Sequence, residues 1–214
     1  MLPWWVSSCD IDGRTIFLDI KRNRYSVIRS DTARALSVGD RAAVPRNILD
    51  QADAFGWLGE HMDRPACPVA QIEKPRIELA SIAPTTAPTK SLVASAMACM
   101  IMTRCRLATR NLESLLRDVS ATNDRAAKAR KRASVEDVVL AADVVERFAL
   151  GSKACLLKSL ALQKMLSRHG HASVLVFGVR LNPFGAHCWV QQGDVVLNDT
   201  IERVGMFTII RAVA

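Results

Sequence analysis

Residues 151–200 read GSKACLLKSLALQKMLSRHGHASVLVFGVRLNPFGAHCWVQQGDVVLNDT, and two periodicities meet inside them. From Cys155 to His169 the leucines, Ala161 and Met165 recur at helical spacing, and Gly170 supplies a stop. After Gly170 the pattern becomes ASVLVFGVR, AHCWVQQ and DVVLNDT, three strand-like runs separated by NPFG and QGD turns. A helix followed by an antiparallel sheet is an α+β arrangement. The helix begins with a cysteine, where unpaired backbone N–H groups and the helix dipole stabilise a thiolate. Lys153 and Lys158 add positive charge beside it. A buried packing cysteine has no use for that setting, yet free cysteine is among the most buried residue types. The stretch leaves both readings open until its partners are found.

Two downstream residues supply them. A cysteine nucleophile needs a base, and the base needs an acceptor that orients it. His187 lies in GAHCWV and Asp199 at the end of VVLNDT, on runs that pair if QQGD is a hairpin turn. Cys188 points to the opposite strand face from His187 and reads as packing, whereas Trp189 shares the histidine's face. His169 and His171 read as helix-closing residues, and no zinc-ligand spacing joins them to His187. Asp194 sits in the turn.

Upstream, two further blocks are legible. In VSSCDIDGRTIFLDI, Asp12-Gly13 marks a hairpin, and Ile16, Leu18 and Ile20 share one face of its second strand. RYSVI is a third strand. Ser30 or Asp31 caps a helix over DTARALSV that Gly39 stops, and Pro45 opens a second helix, PRNILDQADAFGWL. Five of the eight prolines lie within 63–90, and APTTAPTK is the most linker-like piece. Three segments follow: a small α+β module at 1–62, a linker at 63–90, and a larger domain at 91–214. Helical patterns cover about 91–118 and 134–150, the second opened by Ser134 and closed by Gly151.

Composition narrows the function. The 214 residues are half hydrophobic, enough for a core without disulfide staples. Six cysteines without a CxxC pair fit a reducing cytoplasmic compartment. MLPWWVSSCD is no signal peptide, and SLVASAMACMIM is shorter than the roughly 20 residues a bilayer requires. The charge of +8 raises nucleic-acid binding, but the densest basic run, RAAKARKR, is interleaved with alanine instead of aromatic residues. No specific nucleic-acid signature accompanies it.

CLLKSLAL, MLSRHGHASVLVFGV, FGAHCWV and VVLND together resemble the lasso peptide biosynthesis B proteins, transglutaminase-like cysteine peptidases that remove the leader of a ribosomal precursor. The resemblance covers about residues 151–200. It implies a papain/transglutaminase-like domain with Cys155 as nucleophile, His187 as general base and Asp199 as orienting acid. It implies no bound cofactor, and partnership with a precursor peptide and an asparagine-synthetase-like lasso cyclase that uses ATP. IFLDIKRNRYSVIRSDTARAL and the helix ending FGWL resemble the small, winged-helix-like PqqD leader-recognition module. There the leader adds as a strand beside the third strand, against the last helix. That points to residues 24–28, with Tyr25 and Val27, and to Ile48, Leu49, Ala52 and Phe55. Two other readings stand beside the leader peptidase: an acyl transferase with the same triad, and a non-catalytic peptide-binding scaffold.

Overall fold

A computed structural model of the chain describes residues 2–59, 71–79, 87–148 and 155–214. The fold is α+β. Strands β1 (Val6–Ile11), β2 (Arg14–Asp19) and β3 (Arg24–Arg29) form an antiparallel sheet in the order β1-β2-β3. Asp12 and Gly13 both take positive φ, as the two-residue turn between paired Ile11 and Arg14 requires. Helices α1 (Ser30–Val38) and α2 (Arg46–Ala54) follow. Gly39 closes α1 in the left-handed region. The side chain of Ser30 does not cap α1 but bonds Asp10. Helix α2 stops at Ala54, short of FGWL, because the chain turns at Phe55 and Gly56 to send Trp57 into the core.

One face of this sheet packs on the helices. Phe17 meets the Trp57 ring at 5.2 Å, and buried Asp19 accepts the Trp57 indole N–H at 3.0 Å. The other face carries Ile16, Leu18 and Ile20, and it is covered as well. That explains why IFLDI is apolar almost throughout instead of alternating.

The larger half holds α3 (Lys90–Thr109), α4 (Leu112–Ala126), α5 (Val135–Phe148), α6 (Cys155–Arg168) and a five-stranded sheet. The helical pattern at 91–118 is broken at Asn111, whose side chain accepts the Ser114 N–H and starts α4. Ser134 caps α5 through the Asp137 N–H. Gly151, expected to close α5, lies outside the described residues. Helix α3 is long and apolar enough to cross a bilayer by length and composition. It is longer than the apolar run suggests, and its buried residues include Leu92, Ala96, Cys99 and Met100. It packs on α5 and α6.

The sheet order is β4-β7-β6-β5-β8, with β4 (Ile77–Glu78), β5 (Val174–Arg180), β6 (Gly185–Gln192), β7 (Val195–Val196) and β8 (Thr208–Val213). Helix α7 (Ile201–Gly205) lies between β7 and β8. The sheet is mixed, not purely antiparallel, because β4 runs parallel to β7. Residues 77–78 belong to the proline-containing stretch read as linker. Arg76 N–H bonds Asp194 O at 2.8 Å, Gln191 donates to Glu73 O, and Glu78 caps α7 at Ile201. Residues 71–79 therefore build the sheet edge next to Asp199.

The two sheets are joined at β8. Arg211, 1% exposed, donates from Nη1 to Ser7 Oγ at 2.8 Å and to Trp4 O. Phe177, which pairs with Arg211, shares its sheet face with Cys188, and α6 packs on β5 and β6. One face of the large sheet is thus shared by α6 and the N-terminal sheet.

Candidate active site

Strand β6 is bordered by β7 only at Gln191 and Gln192. Beyond them, among the described residues, no strand borders its edge toward Gly185, and α6 uses it. Ser159, fully buried one turn after Cys155, donates to Cys188 O at 2.9 Å. Asn198 donates to Ser159 Oγ at 3.0 Å and accepts the Val190 N–H at 2.8 Å, while Leu197 N–H bonds Val190 O. These contacts set the register of three separate elements. Each participating residue sits next to a member of the predicted triad: Ser159 one turn from Cys155, Cys188 beside His187, and Asn198 beside Asp199.

The three are brought together. His187 Nε2 and Asp199 Oδ2 lie 2.5 Å apart, and the histidine also hydrogen-bonds the Cys155 thiol. Because Nε2 is taken by Asp199, the thiol meets Nδ1. His187 is 6% exposed; its ring stacks on Trp189 at 6.0 Å and tilts against Phe207 at 5.0 Å. Gly178 pairs with His187 on this face, and a Cβ there would stand 2.7 Å from Phe207 Cβ and 2.8 Å from the Trp189 ring. The glycine makes the room in which both rings hold the imidazole.

The electrostatics follow from these contacts. Burial pushes the Cys155 thiol up. The hydrogen bond and charge of His187, with backbone hydrogen bonds from Cys188 and Leu156, outweigh it and bring the pKa below its ordinary value. Burial pulls His187 down, but Asp199 and Cys155 push it up to about 9. Burial raises Asp199; hydrogen bonds from His187 and the Thr200 N–H, aided by Arg203, lower it further than burial lifts it. The contacts shift all three groups toward their charged forms, a thiolate–imidazolium pair backed by a carboxylate, which is the arrangement a cysteine nucleophile needs.

Lys158 does not contribute as the sequence suggests. Lys158 is paired with Glu146 of α5 at 2.9 Å and is spent there. Lys153 lies outside the described residues. Cys188 is buried and its thiol is raised well above its usual range by burial, the Cys155 charge adding to it. His171 bonds Ala133 O at 2.7 Å at the far end of α6.

The six residues expected to line a leader groove are not brought into one patch. Val27 pairs with Ile16, and Tyr25 with Leu18, so both lie on the sheet face that meets the large domain. The Tyr25 ring contacts Phe184, just before β6, at 5.8 Å. Ala52 is buried and Phe55 packs on Trp57, on the opposite face. Ile48 is half-buried on the same helix, and Leu49 lines a hollow of about 270 Å³ with Leu36, Val44 and Trp57. Gly178, Ser159, Asn198 and Phe207 were not singled out in the sequence. A glycine inside the otherwise β-branched VLVFGVR and a polar pair in VVLND were the available signals.

Over 45 residues the chain is 44% identical to the microcin J25-processing protein McjB of Escherichia coli, a match that covers 21% of this chain and 22% of McjB. The chain thus spans under a quarter of that relative's length. No solved structure matches it. Residues 99–212, which carry Cys155, His187 and Asp199, match the transglutaminase-like superfamily. That match takes in more than half of the sequence, and the chain belongs to the transglutaminase-like superfamily.

Proposed function

We propose that the protein is a cysteine peptidase that removes the leader from a ribosomally made lasso peptide precursor. The observation that carries the reading is the hydrogen-bonded succession Cys155–His187–Asp199 in a superfamily of acyl-transfer folds. The partial likeness to McjB supplies the substrate class. The Cys155 thiolate attacks the scissile carbonyl carbon. The His187 imidazolium gives its proton to the departing amine, and the C–N bond breaks to leave a thioester. His187 then takes a proton from water, the hydroxide attacks the thioester, and the thiolate is released. Trp189 and Phe207 screen the imidazole from solvent through both steps.

The first module is the leader-recognition element in this reading. Among the described residues β3 is an edge strand, open to an added strand. Residues 24–29 are expected to gain amide-exchange protection when a leader peptide is added; unchanged exchange removes this role from the module. An ATP-using, asparagine-synthetase-like cyclase takes the freed core onward. The reading is tested by incubating precursor with wild-type protein and Cys155→Ala, and weighing the products. Wild type is expected to yield free leader and core, and Cys155→Ala neither. Trimming by Cys155→Ala at the wild-type rate sinks the reading. A covalent conjugate of the leader in place of free leader establishes the acyl transferase instead, with an amine replacing water in the second half.

A further inference from the structure

The N-terminal module does more than stand beside the peptidase half: one of its side chains, Tyr25, faces the strand that carries His187 and Cys188. Two cross-strand rows fix where. In the N-terminal sheet, Ser7 pairs with Leu18 and Leu18 with Tyr25, so the three side chains share one face. In the large sheet, Arg211 pairs with Phe177 and Phe177 with Cys188, again on one face. The buried Arg211–Ser7 bond of 2.8 Å pins the two rows together at one end. The far end of the first row is placed by Tyr25 itself, whose ring meets Phe184, just before β6, at 5.8 Å. There Tyr25 lies toward Cys188, whose backbone N–H bonds the Cys155 sulfur. The charges of Cys188 and Cys155 act on the Tyr25 phenol, in keeping with this placement.

The chemistry of Tyr25 fits the position. It is the sole tyrosine of the chain. Its hydroxyl has no hydrogen-bond partner among the described residues. Burial raises its pKa well above the ordinary phenol value, and the charges of Cys188 and Cys155 raise it further. It therefore stays protonated at neutral pH and acts as a donor. A peptide carbonyl under attack by Cys155 needs donors for its developing oxyanion.

We propose that the Tyr25 hydroxyl completes the catalytic centre by donating a hydrogen bond to the carbonyl oxygen of the acyl group as Cys155 attacks it. The proposal rests on the acyl-transfer reading of the site but not on the identity of the peptide. No proton leaves Tyr25: the bond strengthens as the oxygen gains charge and relaxes when the thioester carbonyl reforms. The active site is thus shared between the superfamily fold and a module outside it, since Tyr25 precedes the matched residues 99–212.

Tyr25→Phe retains the ring against Phe184 and removes only the hydroxyl. Two reactions separate the roles. Iodoacetamide alkylates a thiolate by displacing iodide and forms no oxyanion; p-nitrophenyl acetate acylates it through one. Both rates are read above a Cys155→Ala background, because Cys105 is exposed and Cys9 partly so. Tyr25→Phe is expected to alkylate at the wild-type rate and to acylate on the order of 10²-fold more slowly. Equal acylation overturns the proposal. Faster acylation or alkylation also overturns it and makes Tyr25 a cover over the thiol. Equal slowing of both reactions with a lowered thermal midpoint overturns it in favour of packing, as does a wild type that the ester fails to acylate above background. A wild type that the ester acylates but that leaves every precursor uncut sinks the leader-peptidase reading alone.

Discussion

At the residue scale the site is a set of competing costs. Burial opposes charge on Cys155, His187 and Asp199 alike, yet each is held in its charged form by the next. His187 is the centre of the chain because it faces both partners. Its pKa, raised from 6.5 to about 9, makes a signed claim about stability. The protonated ring stabilises the folded state fully below its unfolded value and stops doing so as pH rises through about 9. The thermal midpoint is therefore expected to fall between neutral pH and pH 9, and this fall is expected to be lost in Asp199→Asn. The same variant weakens the imidazolium that lowers the thiol, so the pH midpoint of Cys155 alkylation is expected to move up. An unmoved midpoint would show that Asp199 does not tune the pair. Cys155, His187 and Asp199 were legible by residue type and order. Their protonation states were not, because those depend on distances between groups far apart in the chain.

At the element scale, the open edge of β6 decides where Cys155, His187 and Asp199 come together. A full-length β7 would satisfy Cys188 and Val190 and leave α6 nothing to hold. With β7 only two residues long, Ser159 and Asn198 take those backbone groups instead. Asn198→Ala leaves the buried Val190 N–H without its acceptor, and is expected to cost about 1–3 kcal/mol in denaturant unfolding. It is also expected to lower turnover more than it raises KM, since the register of Asp199 loosens. Unchanged stability and turnover together would remove Asn198 from this role. Gly178→Ala is expected to lower the thermal midpoint as Phe207 and Trp189 are driven apart around His187. The helix carrying Cys155 and the strands on either side of LNPFG were readable from periodicity. That β7 would be short was not, because VVLNDT has strand composition throughout and only the pairing with Val190 ends it.

At the scale of the whole molecule the two halves are one packed body. The central strand of the N-terminal sheet, β2, is buried on both faces, and Arg211 is sunk between the sheets with Ser7 and Trp4 O as acceptors. Calorimetry is expected to show a single unfolding transition for the wild type. Arg211→Leu is expected to lower the midpoint, because a buried hydroxyl and a carbonyl lose their donor. Two separated wild-type transitions would mean that the sheets are not coupled. The proline-rich composition of 63–90 reads as a divider, yet residues 71–79 stitch into the large sheet beside α7. What the sequence determined by itself is local: the Asp12-Gly13 hairpin, the Gly39 and Gly170 stops, the Ser134 cap, the helix that starts at Cys155, and the chemical identity of the triad. Each depends on neighbours a few residues away. Only the tertiary structure decided that β4 would join the sheet in parallel, that Lys158 would be spent on Glu146, and that the Tyr25 ring would meet Phe184 at the start of β6. Those outcomes depend on which faces meet across the fold, and composition carries no record of it.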